Sequence, residues 1–473
     1  MIGWLPSEVT LARQEPAGLK GTHSVSLHRP KAITTVGSGA IGRGLASMTV
    51  DGSVVRLGTD TVATGEAVAG LGSAEQRKIE SWLAALIQTE HLALLLGNGI
   101  SSAVGHLIGT YPPSMAQHVS AGDETDLIRA HAEGSASQLG REANLEDEIR
   151  SSLDLLQGLR VLQETERAEQ VRASVDEAMT GLLSGVLAFE KALGTALRNR
   201  TDAALDFERL IGRFLMPFAS RPTQRDRLHL YTTNYDRLLE AAADRLGLRF
   251  LDRFVGSLEP RFSASRIDVD LHFAPPGVRG EPRLLDGVVR FAKLHGSVDW
   301  MADGGKIVRS SLPLGADQEH PMFPEEPSRT AVIYPNPAKD VETLAYPYSE
   351  LFRDFAAAVC RPNNVLVTFG YGFGDSHINR VIADMLTIPS THLVVISRDS
   401  LTTLDSFRRA NSYPPGQTTE LIGASVGGLA EFVDLMPMTL TSPLFEAQTA
   451  YLEKVGGHEQ AVAGAATEQG TTQ

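Results

Sequence analysis

The sequence holds a single cysteine, Cys360, among 473 residues. One thiol excludes an intrachain disulfide and any four-cysteine zinc site, and no metal is expected. No apolar run approaches the ~20 residues needed to cross a bilayer. The opening stretch from Met1 to Glu8 lacks both the basic start and the apolar segment of a secretory signal. Positive charge is also in short supply: 43 Lys and Arg against 57 Asp and Glu give a net charge of −14. Such a chain has no broad attraction to phosphate backbones or anionic lipid, so direct nucleic-acid or membrane binding is not expected. What is present is an ordinary globular composition, 42% hydrophobic, long enough for about two or three domains. These features together predict a soluble, cytoplasmic protein.

Residues 1–73 read as a region apart, rich in Gly, Ser and Thr with no sustained helical period. They fit a flexible extension, a small β-rich appendage, or sequence upstream of a beginning at Met48. From Ala74 a helix is expected, with Ser73 as N-cap and Ile79, Leu83, Leu86 and Ile87 at helical spacing. A short apolar strand, Leu92–Leu96, follows. Residues 123–218 read almost entirely as helices: Leu145, Ile149, Leu153 and Leu156 make one stripe, and Ala178, Leu182, Val186 and Phe189 another. This block carries no recognisable chemistry and reads as an inserted helical subdomain or assembly surface. Strands then alternate with helices: strands at 228–232, 288–294, 365–369 and 392–396, helices at 237–246, 349–359 and 377–386. That alternation predicts an α/β fold, a Rossmann-like, doubly wound parallel sheet. The resulting division is a catalytic domain at 74–122 and 219–400, a helical insertion at 123–218, and a C-terminal segment at 401–473 that ends in a loose tail.

The motifs fall at strand ends. Gly37, Gly39 and Gly42 spell a dinucleotide fingerprint, but Gly44 and Gly52 break the helix that should follow, so a Gly-rich segment is the better reading. Gly97, Asn98, Gly99, Ile100 and Ser101 follow a buried-type strand, where glycines let backbone approach a pyrophosphate and a helix start faces its charge. An ordinary strand-to-helix turn accounts for them equally well. Thr233, Asn234 and Asp236 load the end of the next strand. One of the last two residues can cap the following helix, which leaves the other without a structural task. His295 follows Lys293 and Leu294 at a third strand end. It is either structural or a general base, its ordinary pKa lying near 6.5. Gly370, Tyr371, Gly372 and Asp375 end a fourth strand, either as a nucleotide-facing loop or as a turn with Asp375 capping the next helix. Tyr334–Pro337 and Tyr346–Tyr348 read as turns. No motif is decisive alone. In a parallel sheet, however, all these ends lie on one edge, so residues far apart in sequence converge on one crevice.

In this order the motifs resemble the sirtuin-like domain, specifically the bacterial branch of anti-phage NAD hydrolases, over about Leu92 to Ser397. The resemblance implies NAD as substrate, bound by Gly97, Asn98, Gly99, Ile100, Ser101, Thr233, Gly370, Tyr371, Gly372, Asp375 and, at the adenosine half, Ser397. It implies Asn234, Asp236 and His295 as catalytic residues. Two departures weaken an acyl-lysine peptide as substrate: the four-cysteine zinc ribbon of protein deacylases is absent, and Ser102 to Ile108 stand in place of a short Asp-Phe-Arg segment. The resemblance further implies NAD+ hydrolysis to nicotinamide and ADP-ribose in abortive infection. It also implies homo-oligomerisation and an activating partner such as a HerA-type ATPase or a short Argonaute. An NAD-dependent deacylase or ADP-ribosyltransferase, and a non-catalytic NAD or ADP-ribose sensor, remain alternatives.

Overall fold

Strands rich in Leu, Val and Ile on both faces need helices above and below them, and that requirement shapes the molecule. The computed structural model describes residues 52–138, 141–222, 225–266, 269–273, 283–333 and 346–437. Its main sheet has nine strands: β1 (Val54–Leu57), β2 (Asp60–Thr64), β3 (His91–Leu96), β4 (His229–Thr232), β5 (Arg249–Leu251), β6 (Val288–Lys293), β7 (Asn364–Phe369), β8 (His392–Ser397) and β9 (Thr418–Ile422). Their order is β2-β1-β9-β8-β7-β3-β4-β6-β5, parallel except at the β1–β9 and β1–β2 pairings.

Alternate residues of each strand feed alternate layers. Leu92, Leu94 and Leu96 of β3 join one core with α1 (Ser73–Ile87), α2 (Asn98–Ile108), α6 (Asp202–Ala219) and α7 (Leu238–Leu246). Ala93 and Leu95 join the other, with α8 (Tyr348–Val359), α9 (Ser376–Leu386) and α10 (Thr402–Ala410). The result is the doubly wound α/β sheet that the strand–helix alternation predicts. Each fully buried leucine contributes about 1.5–3 kcal/mol. A hydrophilic substitution within Leu92–Leu96 therefore breaks the sheet at its centre.

A third core lies off the sheet, between α3 (Thr125–Gln138), α4 (Leu145–Val161) and α5 (Thr165–Asn199). Helix α5 has 35 residues, roughly 50 Å at the usual rise of ~1.5 Å per residue. Its first two-thirds, with Val171, Val175, Met179 and Leu182, pack into the third core, whereas Phe189, Leu193 and Leu197 pack into the first. Helix α6 belongs wholly to the sheet, where Phe214 lies 5.0 Å from Phe369 ring to ring.

The helical block is thus not a unit with edges at 123 and 218: it becomes part of the sheet's own cover midway along α5. The other boundaries differ as well. β1 and β2 extend the sheet, so the main domain begins upstream of Ala74. β9 follows β8 in parallel, so the sheet continues past residue 400. A second, five-stranded sheet in the order Ala331–Ile333, Gly296–Asp303, Lys306–Arg309, Arg261–Phe262, Phe254–Val255, whose longest strand starts directly after His295, was not read from the sequence. The glycines at 37–42, Tyr334–Pro337 and the tail from Gly456 lie outside the described residues. No described helix is long and apolar enough to cross a membrane.

Candidate functional site

The strand register decides where the loops meet. Leu96 of β3 pairs with Phe369 of β7 on one side and with Thr232 of β4 on the other, and Thr232 pairs with Lys293 of β6. The last residues of four strands therefore stand in one row. From β3 the chain moves through β4 to the edge strand β5 and back to β6 between them, then returns to β7 and works outward the other way, so the crevice beside β3 is a topological switch point. A cavity of about 340 Å³ opens there. Its wall includes Gly97, Asn98, Thr233, Asn234, Asp236, His295, Gly370, Tyr371, Gly372 and Asp375.

The two glycine loops press against each other. A side chain on Gly97 would place its Cβ 2.4 Å from the Gly370 carbonyl oxygen, and one on Gly99 would reach 2.5 Å from Gly370 Cα. The Gly99 amide donates to Gly370 O at 3.1 Å. These glycines are thus dictated by loop-to-loop contact rather than by room for a pyrophosphate. Gly372 is different: it lines the cavity, and a Cβ there would meet nothing within 4 Å beyond its own chain neighbours. Helix α2 starts at the rim with no side-chain cap, so its dipole is available to an anion.

Asn234 is held by a relay. Its Nδ2 donates to Gly97 O at 3.1 Å and to Ser101 Oγ at 2.9 Å, and Ser101 Oγ donates onward to Asp236 Oδ2 at 2.8 Å. Gly97 O only accepts, which fixes the orientation of the amide. With both amide hydrogens taken, Asn234 has only its carbonyl oxygen left to give a ligand. Asp236 Oδ1 meanwhile accepts from the Leu238 amide at the start of α7. Burial pushes the Asp236 carboxyl up, against the Lys293 charge and the Ser101 hydrogen bond. Its task is to support Asn234 through Ser101.

His295 Nε2 meets Asp375 Oδ2 at 2.7 Å. Asp375 Oδ1 accepts from the His377 and Ile378 amides, so one carboxylate both caps α9 and holds the histidine. Burial alone would raise Asp375; the hydrogen bond and charge of His295, with the two amides, overcome that and bring it down to about 2. Burial likewise favours neutral His295, but the bond to Asp375 and its charge win, and the imidazole is raised above its ordinary value. An ionised Asp375 can only accept, so Nε2 carries a hydrogen and Nδ1 is the ring atom whose protonation changes.

The opposite wall comes from the helical block. Asn144, Glu146 and Arg150 of the α4 start, Val186 of α5, and Pro112, Pro113 and Met115 all line the cavity. A capping box between Asn144 and Asp147 fixes the first turn of α4, a device that contributes about 1 kcal/mol. Arg141 grips Asp147 at 2.5 and 2.9 Å and donates from Nε to Gly374 O at 3.2 Å, which joins the block to the glycine loop. Tyr235 donates its hydroxyl to Glu146 Oε1. Deeper, Arg237 pairs with the fully buried Glu190 of α5 at 2.5 Å. None of Arg141, Asn144, Glu146 and Arg150 stood out in the sequence. They follow no strand, and only the sequence Asn144-Leu-Glu-Asp147, a helix-start signature, marked the place.

Four expected contacts fall elsewhere. Gly99 lies behind the cavity against Gly370, and Ile100, fully buried, faces the first core with Val104. Ser101, also fully buried, is the relay to Asp236 and not a wall residue. Ser397 is turned away: its Oγ donates to Asp399 O, and its carbonyl accepts from the Gly423 amide. A helix that starts at a strand end shows only its first residues to the crevice, so the motif's later positions point inward. Among the described residues no cluster of three or more His, Cys, Asp or Glu is arranged to hold a metal ion.

No curated protein matches the chain. Residues 228–413, less than half of the chain, match the family model described as SIR2-like domain; this segment carries the Asn234, His295 and Asp375 loops, and over it the chain is similar to sirtuin-like proteins, whose chemistry uses NAD.

Proposed function

We propose that the cavity binds NAD+ and hydrolyses its nicotinamide–ribose bond to nicotinamide and ADP-ribose. The observation that carries this reading is the meeting of the Asn234 relay and the His295–Asp375 pair on one row of strand ends, beside an uncapped helix start. The residues suit the dinucleotide. The α2 start and Arg150 offer positive potential to a pyrophosphate, Gly372 leaves space for close approach, and Pro112, Pro113, Val186 and Tyr371 offer apolar surface to a ring.

In the step proposed, the bond between the pyridinium nitrogen and the anomeric carbon breaks, and both electrons leave with nicotinamide, which becomes neutral. Positive charge develops on the ribose, as in other glycosyl transfers. A water accepted by Asn234 Oδ1 attacks the anomeric carbon, and its proton passes to His295. Asp375 fixes the ring and stabilises the imidazolium. Asp236 acts through Ser101, holding the asparagine.

The resemblance extends the reading to NAD depletion in anti-phage defence, started by a separate partner and carried out by a homo-oligomer. A net charge of −14 favours a partner, rather than this chain, as the part that touches nucleic acid.

The test is to incubate the purified full chain with NAD+ and follow nicotinamide and ADP-ribose by chromatography, with and without the product of the adjacent gene. Equimolar products independent of any acceptor support hydrolysis. Release that requires an acyl-lysine peptide or an acceptor protein makes the chain a deacylase or a transferase. Saturable binding with no nicotinamide makes it a sensor.

A further inference from the structure

Among the described residues three carboxylates line the cavity: Asp236, Asp375 and Glu146. Two have a protein donor on each oxygen. Asp375 takes His295 on one oxygen and two amides of α9 on the other. Asp236 takes Ser101 and the Leu238 amide, and its carboxyl is buried. Glu146 differs in both respects. It is only half-buried, its Oε1 accepts from the Tyr235 hydroxyl, and among the described residues its Oε2 takes no hydrogen bond.

Its place is built rather than incidental. Glu146 is the second residue of α4, where the capping box and Arg141 lock the backbone and the helix dipole favours an acid. Tyr235, which holds it, sits between Asn234 and Asp236 in the catalytic loop, its ring 6.5 Å from that of His295. The charge of Glu146 is felt at His295 and at Arg141.

We propose that Glu146 of the helical block, not Asp236, is the carboxylate that faces the cationic nicotinamide–ribose end of the substrate. The inference rests on the reading of the cavity as an NAD+ site and adds the group that distinguishes its charged end. A buried carboxylate with a protein donor on each oxygen is a poorer partner for a ligand cation than a half-buried one with one oxygen hydrogen-bonded and the other open on a cavity wall. It also gives the helical block a chemical role, since among the described residues α4 alone brings such a charge to the cavity wall.

The discriminating experiment compares NAD+ with NADH, whose nicotinamide ring is neutral, by calorimetric titration of the full chain, wild type and Glu146→Gln, together with steady-state nicotinamide release. The wild type should bind NAD+ the more tightly. Glu146→Gln, which keeps the acceptor for Tyr235 but loses the charge, should weaken NAD+ binding about tenfold, leave NADH unchanged, and lower kcat/KM about a hundredfold. Glu146→Asp keeps the charge and should retain the preference, which separates charge from damage to α4. If Glu146→Gln binds and turns over NAD+ like the wild type, the proposal is overturned while the reading of the cavity stands. A wild-type chain that neither binds nor cleaves NAD+ overturns both.

Discussion

The two walls of the cavity are built on different rules. The sheet wall consists of loops at strand ends, and a parallel sheet brings such ends to one edge whatever lies between them in sequence. The helical wall consists of the first turn of α4 and a face of α5, and nothing periodic in the sequence says that this turn faces this edge. The SIR2-like match, at residues 228–413, covers most of the sheet wall and none of α3, α4 and α5. The comparison teaches that the polar groups at the strand ends and the groups that face them across the cavity come from separately organised parts of the chain.

The largest expected effect tests the sheet wall alone. Asn234→Ala and His295→Ala should each lower nicotinamide release by about 10³-fold or more while the chain stays folded. Unchanged turnover in both purified variants would remove these residues from the mechanism.

Next comes the joint between the walls. Arg237 follows the Asn234–Asp236 loop and its guanidinium pairs with Glu190 of α5, itself fully buried. Arg237→Ala strands the glutamate and should cost about 3 kcal/mol in urea unfolding, with activity falling as the loop loosens. A loss under 1 kcal/mol would mean that the walls are held together elsewhere.

The His295–Asp375 pair predicts a pH signature. Asp375 has a depressed value, so its contribution is present above the unfolded value near 4 and is lost as pH falls toward about 2. His295 has a raised value, so its contribution is full below about 6.5 and is lost as pH rises through the folded value. The stability gap between wild type and Asp375→Asn should therefore be widest between pH ~4 and ~6.5 and narrow on both sides, with a pH-dependent part on the order of 2 kcal/mol. Urea midpoints across pH measure it, and a gap that does not vary with pH refutes the pairing.

The smallest effect sharpens the helical wall. Tyr235→Phe removes the hydroxyl that holds Glu146 but leaves the charge in place. It should lower kcat/KM only about three- to tenfold, well short of Glu146→Gln, as steady-state nicotinamide release would show.

Much of this was legible before any fold was known. Four motifs at strand ends pointed to Asn234, Asp236, His295 and Asp375, and the cavity brings those four together. What could not be read is where side chains turn after a motif. Ile100 and Ser101 sit in the same short sequence as Gly97, yet helix geometry sends one into the core and the other behind Asn234. Asp375 offered two readings, cap and ligand contact. The structure uses it as cap and as the partner of His295, a pairing across 80 residues that no local pattern encodes.

The sequence by itself determined the five central strands of the main sheet, the helices that alternate with them and the edge on which their polar ends gather, because apolar period and turn chemistry are local properties. Only the tertiary structure decided what closes the cavity. The placement of Glu146, Arg150 and Val186 depends on how α4 and α5 pack against a sheet they are not part of, and packing between distant segments leaves no periodic trace in the chain.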